Sequence, residues 1–333
     1  MRIAINGCGR IGKNIIRVLL HENREKELVA INLGPADPSM LAYTLRYDSI
    51  LGTYQGAMEY KEGKLWINEH AISVYTESSA KNLPWKALDI DWVVDASGRY
   101  TTREKAQEHF DAGARAVLIT APMDDDDITV ILGVNEKSFI ASKHRIVSLG
   151  SCTTNAVVPL IAALKDSLAI TSISMTTTHS YTNSQALLDG VASAKDPRRS
   201  RAAALNIVPS TTGALKVLQK IMPEFAGKVV GHALRVPVPN VSLIDLVVMT
   251  TRSIDQKTLQ GLFQQAAQQH PTIIKVTHEQ LVSSDFKGDS HSVIVDLSIT
   301  TSSAHFCKVF GWYDNEYGYS SRVCDFLKFA DIA

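Results

Sequence analysis

The sequence predicts an α/β fold with two domains and a C-terminal helix. The first domain is predicted as a Rossmann-like, doubly wound parallel sheet and the second as an α+β domain with a largely antiparallel sheet. The chain has 333 residues, enough for two domains of about 100–200 residues each. Short apolar runs alternate with amphipathic stretches over residues 1–150, whereas longer strands dominate after about residue 170, and the second domain is predicted at 151–314. Residues 315–333 are predicted to form a helix that packs back on the first domain.

The first domain is predicted from the pattern of its strands. Apolar, β-branched runs bounded by turn residues are typical of strands that helices cover on both faces. Such runs lie at 2–6, 28–32, 92–96, 116–120, 129–133 and 145–148, with helices predicted at 13–20 and 102–112. Strands that alternate with helices indicate crossover connections and therefore a doubly wound parallel sheet.

The second domain shows long strands with few helices between them. The predicted strands are 172–181, 229–236, 243–252, 292–300 and 307–313, and an amphipathic helix is predicted at 257–269. Alternation of apolar and polar residues along such strands is typical of an antiparallel sheet with one covered face. In the C-terminal helix, the predicted apolar face consists of Val323, Phe326, Leu327 and Phe329.

Composition and charge exclude several classes of protein. With 45% hydrophobic and 20% charged residues, the chain falls in the globular range rather than among disordered proteins. Its 34 basic and 34 acidic residues give a formal net charge of zero, so neither a nucleic-acid nor a membrane partner is expected. No apolar run approaches the roughly 18 residues of a membrane span, and Met1 leads directly into a strand pattern. We therefore expect a cytoplasmic protein.

A glycine-rich turn follows the first predicted strand. Gly7, Gly9 and Gly12 form a GxGxxG motif between that strand and the first helix. In this setting the glycines permit a tight turn and close approach of the backbone to a pyrophosphate, which the helix N-terminus attracts. The motif predicts a dinucleotide site, and a glycine-rich turn needed only for packing is the alternative.

The end of the second strand bears on which dinucleotide binds. Rossmann domains usually place an acidic residue there, which accepts hydrogen bonds from the ribose hydroxyls and repels a 2′-phosphate. The strand in this chain ends Ile31, Asn32, Leu33, and the next acidic residue is Asp37. The barrier against NADP is therefore missing, while NAD can still bind through Asp37 or a backbone group.

One of the four cysteines has a setting suited to chemistry. Cys8, Cys307 and Cys324 are predicted to be packed hydrophobic residues, and the spacing fits neither a disulfide framework nor a zinc site, so no metal is predicted. Cys152 lies in the segment 151–155, which is followed by a helical run at 156–164, and the exposed N–H groups of a helix start favour a thiolate. We therefore predict that Cys152 is a nucleophile.

A thiolate nucleophile needs a base nearby in space. Of ten histidines, His179 ends a Thr-rich strand where it emerges into a loop, a place where scaffolds present catalytic groups; a structural role is the alternative. Groups that can bind an anion occur beside Cys152 and in the helix-opening segment 210–213. Further such groups are the side chains of Arg198, Arg199, Arg201 and Arg235. Together these groups indicate an anionic substrate.

The order of these motifs resembles that of glyceraldehyde-3-phosphate dehydrogenases along essentially the whole chain. The segments that carry the resemblance are NGCGRIG at 6–12, SCTTN at 151–155, HSYT at 179–182, RSRAA at 199–203, RVPVPN at 235–240 and WYDNE at 312–316. The resemblance implies a homotetrameric enzyme in which Cys152 attacks the aldehyde of glyceraldehyde 3-phosphate, while His179 lowers the pKa of the thiol and acts as base. Hydride then passes to NAD or NADP, and inorganic phosphate cleaves the thioester to give 1,3-bisphosphoglycerate.

The same resemblance implies binding roles for further residues. The substrate phosphate would be held by Thr182, Arg199 and Arg235, and the attacking phosphate by Ser151, Thr153, Thr212 and Gly213. The implied cofactor residues are Gly7, Gly9, Arg10, Ile11, Gly12, Leu33, Ser97, Gly98, Thr120 and Asn315. Among these, Arg10 and Ile11 would meet the pyrophosphate, Ser97 and Thr120 would line the cleft, and Asn315 would bind the nicotinamide carboxamide.

Departures from the family pattern concern the cofactor first. Leu33 replaces the usual acidic residue, and Ser78 replaces an arginine common near the adenine. The loop at 189–196, which includes Gly190 and Val191, lacks a Leu-Pro pair common in NAD-specific members and is longer. These departures predict that NADP is accepted.

Other departures lie near the predicted substrate site. Leu149 and Gly150 replace Asn-Ala before SCTTN, and Ser184 replaces an Asp. These departures do not decide which aldehyde is the substrate. The alternative enzyme is therefore erythrose-4-phosphate dehydrogenase, in which water releases the acyl group. A nucleotide-responsive binding protein with the same fold is the alternative from another class, although the presence of both Cys152 and His179 argues against it.

Overall fold

The computed structural model describes residues 1–190 and 196–332, and its contacts divide the chain into two compact units. The first unit comprises Met1–Val130, Asn135–Gly150 and Ser320–Ala333, and the second comprises Ile131–Val134 and Ser151–Tyr319.

A nine-stranded sheet forms the centre of the first unit, with a separate pair of short strands, β3 and β4. The strands are β1 (Ile3–Asn6), β2 (Leu28–Asn32), β3 (Tyr47–Asp48), β4 (Gly52–Thr53), β5 (Met58–Lys61), β6 (Lys64–Ile67), β7 (His70–Tyr75), β8 (Trp92–Asp95), β9 (Ala116–Ile119), β10 (Ile128–Thr129) and β11 (Ile146–Ser148). The helices are α1 (Arg10–His21), α2 (Met40–Arg46) and α3 (Arg103–Asp111).

The central strands of this sheet are parallel and buried. The order is β10-β11-β9-β8-β1-β2-β7-β6-β5, and every pair from β10 to β7 is parallel. All residues of β1, β8 and β9 are buried, because apolar side chains extend from both faces of the sheet. The predicted doubly wound parallel sheet is confirmed.

The edges of this sheet differ from the prediction. β5, β6 and β7 form an antiparallel meander that was not predicted, because their mixed, partly exposed residues lack the apolar signal of the central strands. The strand predicted at 129–133 is wrong in its extent, since β10 consists of two residues. The chain turns at 132–135, with Gly133 at φ +79°, and so leaves the sheet.

The second unit is built on an eight-stranded sheet. Its strands are β12 (Ile170–Ser180), β13 (Val208–Ser210), β14 (Val229–Val236), β15 (Ser242–Thr250), β16 (Ile274–Thr277), β17 (Val293–Asp296), β18 (Thr301–Ser303) and β19 (Phe306–Tyr313). Its helices are α4 (Cys152–Lys165), α5 (Ala214–Ile221) and α6 (Gln256–Gln269). The order is β13-β14-β12-β15-β19-β17-β16, with β18 beside β19.

Pairing in this sheet is largely antiparallel, as predicted. β12 pairs in parallel with β14, and β16 with β17, while the other pairings are antiparallel. Alternate side chains of β15 and β19, among them Leu246 and Val309, are fully buried on the face that α4 contacts. Val230, Met249 and Phe306 are 64%, 40% and 41% exposed, so the sheet also presents apolar side chains to solvent.

The C-terminal helix α7 (Tyr317–Ile332) carries the predicted apolar face. Within the first unit, the Phe326 ring packs edge-on against Trp92 with 5.5 Å between ring centroids. Val323 and Leu327 are fully buried beside it. Burial of these side chains is what fixes the helix to that unit.

Candidate active site

The predicted nucleophile lies at the first position of a helix. α4 begins at Cys152, and the N-cap hydroxyl of Ser151 accepts a hydrogen bond from the Thr154 N–H at 3.1 Å. In return, Thr154 Oγ1 accepts one from the Ser151 N–H at 3.3 Å. This capping box fixes the start of the helix and places Cys152 at the positive end of its dipole.

Strand register brings a histidine and an arginine to this cysteine. His179 in β12 is the register partner of Arg235 in β14. Cys152 Sγ lies 3.5 Å from His179 Nε2. His179 Nδ1 lies 2.7 Å from the carbonyl oxygen of Ser180, an acceptor that favours the tautomer with its proton on Nδ1 and a free lone pair on Nε2. Arg235 Nη1 donates to the same carbonyl at 3.1 Å and lies 2.6 Å from His179 Nδ1.

Burial and charge set the protonation states of the pair. Burial, with the positive charge of Arg235, lowers the pKa of His179 to about 3. Protein packed around the thiol raises the pKa of Cys152, although Arg235 and hydrogen bonds from Thr153 act in the opposite direction. The predicted lowering of the thiol pKa is therefore wrong, because desolvation outweighs the helix start. Burial thus favours the neutral thiol of Cys152 and the neutral imidazole of His179.

A buried tyrosine completes the surroundings of this pair. The Tyr313 hydroxyl lies 3.0 Å from Thr153 Oγ1 and 2.8 Å from Thr177 Oγ1, and its ring stands edge-on to His179 at 6.0 Å between centroids. Thr153, implied as a phosphate ligand, is therefore buried and engaged with Tyr313. Sequence reasoning missed Tyr313 and Thr177, because contacts between distant strands leave no local signal; the WYDNE segment was the one available indication.

A second cluster lies on the loop after β12. Arg199 Nη1 donates to Ser184 Oγ at 2.7 Å, and Thr182 Oγ1 lies 2.9 Å from the same Ser184 oxygen. Arg199 Nε also donates to Asp196 Oδ2 at 2.9 Å. Two of the implied substrate-phosphate residues are thus joined through Ser184, a position where the chain departs from the family pattern. The third, Arg235, contacts His179 instead.

Two implied phosphate ligands lie at the start of α5. Thr212 Oγ1 accepts a hydrogen bond from the Ala214 N–H at 3.2 Å, and Gly213 is the N-cap of α5. Within the described ranges, neither residue forms a hydrogen bond to Cys152 or to Ser184. The structure therefore places both residues at a helix start.

Asn315 follows β19 and its side chain is buried. Its Oδ1 accepts hydrogen bonds from Ser180 Oγ at 2.9 Å and from Ser242 Oγ at 3.0 Å. Ser242 Oγ in turn accepts one from the Ser180 N–H at 3.1 Å. Because Ser180 directly follows His179, this network adjoins the Cys152–His179 pair. Neither serine was singled out from the sequence.

A cavity of about 420 Å³ lies at the carboxyl ends of β1, β2 and β8, where open α/β sheets bind their ligands. Four of the implied cofactor residues line it: Gly7, Gly9, Leu33 and Ser97. Gly9 is the N-cap of α1, and no side chain caps this helix. A Cβ at Gly9 would meet no atom within 4 Å, so there is open space in front of the helix N-terminus. This space and the backbone N–H groups fit the pyrophosphate of a dinucleotide.

Gly7 is required for a different reason. Its φ is +95°, and a Cβ there would lie 2.6 Å from the backbone of Ser97. The turn can approach β8 this closely only without a side chain. Gly12 is similarly restricted, because a Cβ would lie 2.1 Å from the carbonyl oxygen of Gly7.

Other implied cofactor residues do not line the cavity. Arg10 and Ile11 belong to the first turn of α1, where Arg10 forms an ion pair with Asp48. Gly98 follows Ser97 with φ +69°. Thr120 Oγ1 donates to the Asp95 carbonyl at 3.0 Å, so its side chain joins two strand ends rather than lining the cleft.

The charged groups of the cavity bear on cofactor choice. Besides Leu33, the lining contains Asp37, Glu77 and Arg99. Hydrogen bonds from Ser39 lower the pKa of Asp37, which keeps its carboxylate ionised at neutral pH. The cavity therefore presents both signs of charge. Ser78 also lines it, whereas Val191 of the long loop belongs to residues 191–195, outside the described part of the chain.

In residues 1–190 and 196–332, no helix is long and apolar enough to cross a membrane. Over the same ranges, no group of three or more His, Cys, Asp and Glu side chains is placed to hold a metal ion.

Comparison with known proteins identifies relatives along the whole chain. Residues 1–103 match the family model of the glyceraldehyde 3-phosphate dehydrogenase NAD binding domain, and residues 151–315 match that of the C-terminal domain. Glyceraldehyde-3-phosphate dehydrogenase 2 of Trichormus variabilis is 44% identical over 329 residues, covering 98% of this chain and 97% of the relative. Glyceraldehyde-3-phosphate dehydrogenase 1 of Bacillus subtilis is 41% identical, covering 98% and 96%. Glyceraldehyde-3-phosphate dehydrogenase 2 of Streptomyces avermitilis is 40% identical, covering 99% and 98%.

Proposed function

The chain belongs to the glyceraldehyde-3-phosphate dehydrogenase family, and on this premise we propose that it oxidises glyceraldehyde 3-phosphate to 1,3-bisphosphoglycerate with a nicotinamide cofactor. The observation that carries the proposal is the 3.5 Å contact between Cys152 Sγ and His179 Nε2 at the start of α4. A thiol and a base in this arrangement support covalent chemistry on an aldehyde.

Cys152 and His179 divide the proton and bond changes between them. His179 Nε2 accepts the thiol proton, and the Cys152 sulfur adds to the aldehyde carbon, forming a C–S bond. The proton passes to the aldehyde oxygen and completes a thiohemiacetal. A nicotinamide, when bound, would supply the hydride acceptor, and His179 Nε2 would take back the hydroxyl proton of the thiohemiacetal. Inorganic phosphate then attacks the thioester carbon, and the Cys152 thiolate leaves.

Arg235 links substrate binding to the strength of the base. Its charge helps to hold the pKa of His179 at about 3, which disfavours the imidazolium that the reaction requires. A substrate phosphate beside Arg235 would offset that charge and raise the pKa of His179. The base therefore strengthens when the phosphorylated aldehyde is bound, which favours phosphorylated over plain aldehydes. Thr182 and Arg199, joined through Ser184, are proposed as the other ligands of this phosphate.

For the cofactor, we propose that both NAD and NADP are accepted. The glycines of the 420 Å³ cavity would hold the pyrophosphate, and Asn315 the carboxamide. Acceptance of NADP is supported by Leu33, which brings no carboxylate to the lining, and by the cationic Arg99. Asp37 and Glu77 oppose a 2′-phosphate, so we expect no strong preference for NADP.

We further propose the domain division 1–150, 151–314 and 315–333 and a homotetramer. The two compact units support the division, with α7 grouped mainly with the first. Self-association is supported by exposed apolar side chains in the part of the chain between β12 and β13, where Leu187, Leu188, Leu205 and Ile207 are 67–82% exposed. Light scattering after size-exclusion chromatography tests the assembly. The cytoplasmic location stays a prediction.

Steady-state rates test the proposed function. We expect turnover of glyceraldehyde 3-phosphate with NAD and with NADP, and dependence of that turnover on inorganic phosphate. Erythrose 4-phosphate is assayed in parallel, with and without phosphate. Faster, phosphate-independent turnover of erythrose 4-phosphate would favour the sister activity, and absence of turnover with both aldehydes would favour a binding protein.

A further inference from the structure

The Asn315 side chain is held in one orientation by two serines. Ser242 Oγ accepts the Ser180 N–H at 3.1 Å, so its own hydrogen is directed to Asn315 Oδ1 at 3.0 Å. Ser180 Oγ donates to the same oxygen at 2.9 Å. If the amide were rotated by 180°, both hydroxyl hydrogens would face an NH₂ group and lose their acceptor. The network therefore places the amide oxygen inward and leaves the NH₂ group for a ligand.

The backbone of Asn315 is fixed as firmly as its side chain. The carboxylate of the preceding residue, Asp314, accepts hydrogen bonds from Glu316 and Tyr317 N–H at 2.9 and 2.8 Å. It also accepts one from Asn240 Nδ2 at 2.9 Å. No described residue accepts a hydrogen bond from Asn315 Nδ2. Asn315 thus combines a rigid position with an unused pair of donors.

Backbone strain marks the same place. Val241, directly before Ser242, has φ +66°, a strained conformation that is rare for a β-branched residue. Val241 is buried, and the surrounding structure holds it there. Such strain persists where a precise position is needed, and here it sets the start of β15, from which Ser242 reaches Asn315.

We propose that Ser180 and Ser242 are positioning residues that hold the Asn315 side chain so that it can only donate hydrogen bonds to a ligand. Asn315 then recognises the carbonyl oxygen of the cofactor's carboxamide and not the NH₂ group of that carboxamide. The inference rests on the proposed function, in which Asn315 binds the nicotinamide carboxamide. A fixed amide meets an acceptor without loss of rotational freedom on binding. Without the serines, the amide would rotate and present its oxygen for part of the time.

Binding measurements test this inference without turnover. Dissociation constants are measured by calorimetry for NAD, for 3-acetylpyridine adenine dinucleotide and for ADP-ribose. The acetylpyridine analogue keeps the carbonyl oxygen but lacks the NH₂ group, and ADP-ribose lacks the whole nicotinamide. We expect the wild type to bind the analogue within about threefold of NAD. Ser242→Ala and Ser180→Ala should each weaken NAD binding about three- to tenfold, which is the effect of one neutral hydrogen bond. Each substitution should weaken binding of the acetylpyridine analogue by a larger factor.

Controls separate positioning from general damage. Neither substitution should change ADP-ribose binding, and Ser174→Ala, at an exposed site on the same strand, should change none of the three constants. In an Asn315→Ala background, Ser242→Ala should have no further effect on NAD binding. Unchanged NAD binding by Ser242→Ala, or equal weakening of ADP-ribose binding, would overturn the inference. If the wild type nevertheless turns over glyceraldehyde 3-phosphate, the proposed function stands and only the inference about the two serines fails.

Discussion

The cofactor cavity and the Cys152 cluster are built on opposite principles. The cavity is formed by backbone and by missing side chains: Gly7 permits contact with the Ser97 backbone, and Gly9 leaves open space before α1. The Cys152 cluster is formed by side chains from separate elements, with His179 and Arg235 aligned by strand register and Cys152 set by a helix cap. Added atoms should therefore disrupt the first region, whereas removed atoms should disrupt the second.

Removal of the sulfur is expected to have the largest effect. Cys152→Ala should reduce kcat by about 10⁴-fold or more, because no covalent intermediate can form. NAD binding should remain, since Gly7 and Gly9 are unchanged. The matched control is Cys307→Ala, which removes a buried thiol from the same unit and should retain turnover. Undiminished turnover of glyceraldehyde 3-phosphate by Cys152→Ala would show that the nucleophile is assigned wrongly.

Removal of the base is expected to have the next largest effect. His179→Asn should lower kcat by about 10²- to 10⁴-fold, the usual contribution of general acid–base catalysis. Alkylation of Cys152 by iodoacetamide reports the same contact, and its rate near pH 7 should fall in the variant because Nε2 no longer accepts the thiol proton. A variant with wild-type kcat and alkylation rate would contradict the proposed pairing.

The same histidine makes stability depend on pH. Its pKa in the folded protein is about 3, against an ordinary value of 6.5. Below pH 6.5 the unfolded chain binds a proton there that the folded protein does not, so the free energy of unfolding falls as the pH drops from 6.5 towards 3. His179→Asn should remove up to about 1.4 kcal/mol per pH unit of this loss. Urea unfolding at pH 7, 6 and 5 provides the measurement, and parallel curves for both proteins would contradict the buried neutral histidine.

Two glycine substitutions separate stability from binding in the cavity. Gly7→Ala should lower the free energy of unfolding by about 2–4 kcal/mol, because its φ of +95° and the 2.6 Å approach to Ser97 both oppose a side chain. Gly9→Ala should change stability by less than about 1 kcal/mol yet weaken NAD binding about tenfold, since its methyl group enters the space for the pyrophosphate. Urea unfolding and NAD titration test the pair. Equal loss of stability in both variants would show that the space at Gly9 cannot hold a methyl group.

The sequence predicts local features of both regions and misses distant contacts. The helix start at Cys152 and the turn at Gly7 could be predicted, because capping and glycine turns depend on neighbouring residues. The contacts of Tyr313 and Ser242 could not, since they depend on the register of strands far apart in the chain. The direction of the Cys152 pKa was predicted wrongly for the same reason: helix position is visible in sequence, whereas the protein packed around the thiol is not.

The smallest expected effect concerns the charge at one position of the cavity. Leu33→Asp adds a carboxylate to a lining that already contains Asp37 and Glu77, and a third negative charge should increase the repulsion of a 2′-phosphate. We expect the ratio of kcat/KM for NADP to that for NAD to fall about tenfold. Leu33→Asn, which has the same shape as aspartate without its charge, should shift the ratio much less. If the asparagine variant shifts it equally, shape and not charge at this position selects the cofactor, and the role proposed for Leu33 is incorrect.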